Sequence, residues 1–210
     1  MKRSRRDFPF ETKLLSGQKV TVGCATKKDL LEVRAWAKFG RKGSTPAERA
    51  AVKMALNAQR EWKDAQAEGL AARDLNEATD MKSENPSNDT YLLFCITGQE
   101  FSHGRVLGLF LVRRNWNDSM FADYIATHPV LAKNPESTHK GVGTLAFYSI
   151  CKIARKLNIR VIRGETTPLS RKFYQIVLKR RVYDIVAISR KKYQRFLKTL
   201  DPGHGRALAK

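Results

Sequence analysis

Two apolar runs, TYLLFCITG from Thr90 and RVLGLFLVRR from Arg105, stand six residues apart, separated by QEFSHG. Runs of this length and composition bounded by turn residues read as strands, and so short a connection makes them an antiparallel hairpin. Neither approaches the roughly 18 apolar residues that cross a bilayer. MKRSRRDFPF at the N-terminus is followed by no apolar stretch of the signal-peptide kind, so an intracellular, cytoplasmic protein with no membrane partner is expected. The hairpin thus becomes the middle of a sheet in one globular domain, and the flanking segments must supply its other strands and its cover.

Upstream, QKVTVGC alternates as a strand does, with Val20 and Val22 on one face. Thr26 and Asp29 have capping-box spacing for a helix running through Trp36 to a stop near Gly40. Thr45, Pro46 and Glu48 open a second, long and alanine-rich helix whose Val52, Leu56 and Trp62 share a side. DMKSENPSND, from Asp80 to Asp89, reads as a loop. Downstream of the hairpin, ADYIATHP is a third strand that Pro129 ends or bulges, and VLAKNPES is a polar loop. An amphipathic helix from Val142 to Leu157, a strand from Ile159, a helix opened by Thr167 and Pro168, a strand in VYDIVAIS and a basic helix with Tyr193, Phe196, Leu197 and Leu200 on one face complete the order. Residues 1–16 form a basic arm, 17–200 the domain, with 45–79 as a helical insertion and loop, and 201–210 a flexible tail.

The stretch THKGVGTLAFYSICKIARKL, from Thr138, is a basic turn with two glycines at the start of a helix. First-turn N–H groups have no intrahelical partner, and glycines let a ligand approach the backbone, so this turn has the makings of an anion cradle. Composition adds a field to match. The net charge is +20, and from Lys133 onward 19 Lys and Arg face 4 Asp and Glu, so +15 lies in the last 78 residues. Such a field attracts polyanions, from RNA and DNA to the phosphates of a nucleotide. Three cysteines, Cys24, Cys95 and Cys151, stand far apart with no C-x-x-C pair, which excludes a disulfide framework and a zinc cluster. His103, His139 and His204 lack acidic or thiol companions at ligand spacing, so no metal is expected.

Three stretches in this order resemble the GNAT superfamily of acyl-CoA-dependent N-acyltransferases: YIATHP at the end of a strand, THKGVG opening a helix, and TPLSRKFY with Ser170, Phe173 and Tyr174 in register. The match covers about Asp123 to Ile188 and more loosely Val20 to Trp36. It departs from the family at Thr138, where Arg or Gln is usual, and at Thr167, where Asn is usual. The resemblance implies an α+β (α/β) fold, a single GNAT-like domain with a mixed, mostly antiparallel central sheet and helices on both faces. It implies acetyl-CoA as co-substrate and an amine acceptor. His139, Lys140, Gly141, Val142, Gly143 and Thr144 would hold the diphosphate, with Thr167 and Ser170 nearby.

A bulge at Thr127 or His128 would expose an N–H to the thioester oxygen and splay the strand from its neighbour. Asp123, His128 and Glu165 are the candidate bases, Glu165 first, and the resemblance implies that Tyr174 donates a proton to the departing thiolate. The positive field favours an acceptor attached to nucleic acid or a ribonucleoprotein over a free cationic amine. A fold of this kind kept only for nucleic-acid binding, without catalysis, is the alternative. The long helix from Pro46 either lids the acceptor site or mediates a homodimer.

Overall fold

A computed structural model describes residues 8–99, 101–133, 141–179 and 181–199. Seven strands form a single sheet in chain order: β1 (Phe10–Lys13), β2 (Lys19–Cys24), β3 (Thr90–Gly98), β4 (Val106–Arg114), β5 (Ser119–Thr127), β6 (Val161–Glu165) and β7 (Ile185–Ser189). Every neighbouring pair is antiparallel except β5 and β6. A parallel pair needs a crossover, here the chain that carries helices α4 (Pro129–Lys133) and α5 (Val142–Lys156). The mixed, mostly antiparallel sheet expected from the sequence is therefore the one the chain forms.

Helices cover both faces. On one, α5 packs with α3 (Leu75–Glu84), α6 (Pro168–Leu178) and α7 (Arg190–Thr199) over Leu92, Phe94, Phe110 and Val112. On the other, α1 (Lys27–Arg34), a 3-10 helix over Ala35–Gly40 and α2 (Pro46–Ala67) pack over Leu93, Cys95, Leu109 and Leu111. The consecutive residues of β3 and β4 are buried on both sides, which explains why these strands are continuous apolar runs instead of alternating ones. No helix among the described residues is long and apolar enough to cross a membrane.

Local signals of helix starts hold. Thr26 with Asp29, Thr45 with Glu48 and Thr167 with Ser170 each form a capping box. Four features differ from the sequence expectation. Part of the arm is strand β1 on the edge of the sheet, with Leu14 buried behind it. The first half of the supposed loop, residues 80–84, is the end of α3, which is capped by Asp74 and anchored by buried Leu75 and Ala78. β5 begins at Ser119, and the segment after Pro129 opens as the short α4.

Candidate active site

The site begins where two parallel strands part. β5 and β6 are paired only at Ser119–Phe121 and Val161–Arg163. Beyond that the strands diverge, and their gap is a cleft in two joined compartments. The smaller, about 210 Å³, is lined by Thr127 of β5, Gly143 of α5, Glu165 of β6 and Ser170, Phe173 and Tyr174 of α6. The larger, about 660 Å³, is walled by α2 on one side and by Glu165, Thr167 and Pro168 on the other. Met54, Ala122, Asp123, Tyr124 and Glu165 belong to both.

The divergence has a cause in the β4–β5 ladder. Leu111 pairs with Tyr124 but Val112 with Ala122, so Asp123 is the extra residue of a bulge. The bulge expected at Thr127 or His128 thus lies four to five residues earlier, and the His128 N–H is engaged by the Leu107 carbonyl at 2.8 Å. In an antiparallel ladder alternate residues turn their N–H groups outward. With His128 facing β4, Thr127 and Ile125 face the gap, beyond the last residue that β6 pairs. Two backbone donors, those of Thr127 and Ile125, are therefore aimed into the cleft.

At the other wall α5 starts without a cap. Gly141 is its N-cap residue in a left-handed conformation (φ 100°), with no side-chain hydrogen bond. The first intrahelical bond is Leu145 N–H to the Gly141 carbonyl, 2.8 Å. The N–H groups of Val142, Gly143 and Thr144 have no partner among the described residues, and the helix dipole adds partial positive charge there. Val142 is buried, its Cγ1 so close to β4 that a Cβ on Gly108 would come within 2.7 Å of it. Gly143 faces the smaller compartment. Leu15 packs against Gly141, where a Cβ would come within 2.7 Å of it. His139 and Lys140 lie outside the described residues.

Tyr174 is buried, with 8% of its surface exposed, and its ring meets Phe173 and Phe147 edge-on at 5.2 and 6.2 Å. Its hydroxyl forms no hydrogen bond with the protein, and burial pushes its pKa up to about 12. Glu165 ends β6, and its carboxylate has neither an ion pair nor a hydrogen bond among the described residues; the N-cap work at α6 is shared by Ser170, whose Oγ accepts from Thr167 N–H at 2.9 Å. Thr167 Oγ1 in turn accepts from Ser170 N–H at 3.2 Å, so these two side chains serve the helix. Asp123 lines both compartments, yet both its oxygens are held by Arg113, Nε and Nη2 each at 3.1 Å. Arg113 also reaches Asp89 at 3.2 Å.

The structure does not bring His128 to the cleft. Its ring is fully buried among Trp36, Phe39 and Phe101, with centroids 4.7–5.1 Å away, and stacks near His103. Its Nδ1 accepts the Val130 N–H that opens α4, and burial, helped by His103 and Lys38, lowers its pKa to about 4. A neutral, enclosed ring that fixes a turn has no path to an acceptor amine. Conversely, sequence reading passes over Glu61, Met54 and Asn57 on α2 and Tyr124 on β5. Ala50, Met54, Asn57 and Glu61 recur at helical spacing and form one wall, a signal visible only once the docking face of α2 is known.

No protein-family model matches the chain, and no curated protein does. Among solved structures, one assigned to the GNAT family from Desulfovibrio desulfuricans is 15% identical with a TM-score of 0.47, covering 81% of this chain and 98% of that one. An acetyltransferase of the GNAT family from Staphylococcus aureus is 9% identical with a TM-score of 0.42, covering 74% and 80%. Both carry the same family name. At such identities and TM-scores they bear on neither substrate nor residue roles.

Proposed function

We propose that the chain is a GNAT-type N-acetyltransferase that transfers an acetyl group from acetyl-CoA to an amine. The observation that carries this reading is the juxtaposition at one cleft of an uncapped helix start at Gly141–Thr144, outward N–H groups on β5, and the unpartnered Tyr174 hydroxyl. The residues fit the group. Val142, Gly143 and Thr144 offer convergent N–H donors at a positive dipole end for a diphosphate, and Thr127 and Ile125 offer strand-like donors for an extended amide chain entering the gap.

Bound acetyl-CoA supplies an activated acyl group, so a C–N bond forms as a C–S bond breaks. Around it the chain's own groups divide the work. A backbone N–H of β5 stabilises charge developing on the carbonyl oxygen. An alkyl ammonium has a pKa of about 10.4 and must lose a proton before it attacks. Glu165, which lines both compartments and has no other partner, takes that proton. Tyr174, on the wall of the smaller compartment, would meet the departing sulfur. With its pKa at about 12 it is a weaker acid than an ordinary thiol at about 8.5. It therefore would steady the thiolate by a hydrogen bond and keep its own proton, in place of the donation that the resemblance implies.

Thermal stabilisation tests the reading. Acetyl-CoA raises the melting temperature in a concentration-dependent way and dephosphorylated pantetheine does not. Binding of RNA with a steep salt dependence and no response to acetyl-CoA would instead identify a nucleic-acid module.

A further inference from the structure

The larger compartment has a charge opposite to that of the molecule. In a chain of net charge +20, its lining carries Glu61, Asp123 and Glu165 against Lys53 and Arg113. Arg113 is already engaged by Asp123 and Asp89. Lys53 is exposed and lies eight residues from Glu61 on α2, about 12 Å along the axis. Two carboxylates, Glu61 and Glu165, are thus left without an ion pair. They occupy different places: Glu165 borders the compartment that holds Gly143 and Tyr174, whereas Glu61 borders only the outer one.

We infer, on the acetyltransferase reading above, that the acceptor carries two cationic groups: the reacting amine at Glu165 and a second ammonium held by Glu61 of α2. Tyr174, a nine-tenths-buried side chain whose hydroxyl has no partner among the described residues, lines the adjoining compartment, which points to a polar ligand in this cleft. Glu61 is half-buried, and desolvation together with the charge of Asp123 raises its pKa, with Tyr124 and Arg113 opposing. A carboxylate so placed gains more from a cation than one in water does. Phe121 and Tyr124 border the same space, with the Arg113 guanidinium already 5.1 Å from the Phe121 ring centroid. The basic exterior does not forbid such a substrate, because at physiological salt its field is screened within about 8 Å. α2 is then a specificity wall, and Glu61 a positioning residue.

Acetyl-CoA-dependent thiol release and intact-mass analysis with 1,4-diaminobutane and n-butylamine test this. The wild type is expected to prefer the diamine by at least about tenfold in kcat/KM. Glu61→Gln raises the diamine KM about tenfold with kcat within about threefold, lowers n-butylamine turnover by much less, and so erases most of the preference; Glu61→Asp restores part of it. Stabilisation by acetyl-CoA, measured on the same variants, reports folding and the donor site separately. Equal use of both amines, turnover of neither, or a preference that survives Glu61→Gln overturns the inference while a persisting acetyl-CoA shift leaves the acyl-donor reading standing. Loss of that shift in the wild type overturns both.

Discussion

Two helices begin at the same cleft in opposite ways. At α6, Thr167 and Ser170 bond to each other's backbone N–H, and Pro168 has no N–H to satisfy. At α5, Gly141 has no side chain to offer and three donors have no partner among the described residues. Of α1, α2, α3, α5 and α6, only α5 lacks a side-chain cap. A side-chain cap is worth about 1 kcal/mol over alanine but only about a few tenths over glycine. Its absence falls where Gly143 opens on a cavity, and on the acetyltransferase proposal these donors serve the ligand while the capped start beside it serves the fold. What holds the start of α5 in place of a cap is the seat of Val142 on Gly108.

The largest test breaks this contrast directly. Gly143→Asp puts a carboxylate in the first turn of α5, where the nearest obstacle to a new Cβ is the Phe173 ring at 3.7 Å, so the fold accommodates it. The anion is favourable to the helix dipole by about 0.3–1 kcal/mol but repels a diphosphate. Acetyl-CoA affinity by calorimetry should fall at least about 100-fold, a difference of about 2.7 kcal/mol, with the melting temperature maintained. Affinity within threefold of wild type would mean that the open donors bind nothing.

Tyr174→Phe comes next. It removes one hydroxyl from a ring packed by Phe147 and Phe173 and leaves the packing intact. A hydrogen bond to a charged group is worth about 1.5–3 kcal/mol, so kcat should drop about 10–100-fold with KM for acetyl-CoA nearly unchanged. A matching rise in KM would make the hydroxyl a binding group instead.

Gly108→Ala probes what replaces the cap. The added methyl would stand 2.7 Å from Val142 Cγ1 and 3.3 Å from the Ala126 carbonyl oxygen. Overpacking of this kind costs about 1–3 kcal/mol, and because it displaces the start of α5, chemical denaturation and acetyl-CoA binding should weaken together. Lost stability with full binding would show that Val142 does not set the donors.

These contrasts are only partly legible in the sequence. Thr26, Thr45 and Thr167 announce their helices because a capping box is written within four residues. The glycines at 141 and 143 are legible for the same reason. The bulge at Asp123 is not, since it depends on how β4 registers against β5. His128 stands out beside Pro129 and invites a catalytic role, but Trp36, Phe39 and Phe101 arrive from distant segments and enclose it. Glu61 fails to stand out for the converse reason. On a long amphipathic helix a carboxylate looks like any solvated one until packing on β5 turns its face to the cleft.

The smallest expected effect falls on the closed helix start. Thr167→Ala deletes the Oγ1 that accepts from Ser170 N–H and leaves Ser170 Oγ on the Thr167 backbone, so half of the box survives. The loss should be about 0.5–2 kcal/mol, and for a chain of this size about 2–4 °C in melting temperature per kcal/mol. Since the threonine side chain is engaged within the helix, acetyl-CoA affinity should stay within about twofold. A tenfold loss of affinity without a matching loss of stability would place the α6 start among the ligand's contacts, and the division between an open and a closed helix start would no longer hold.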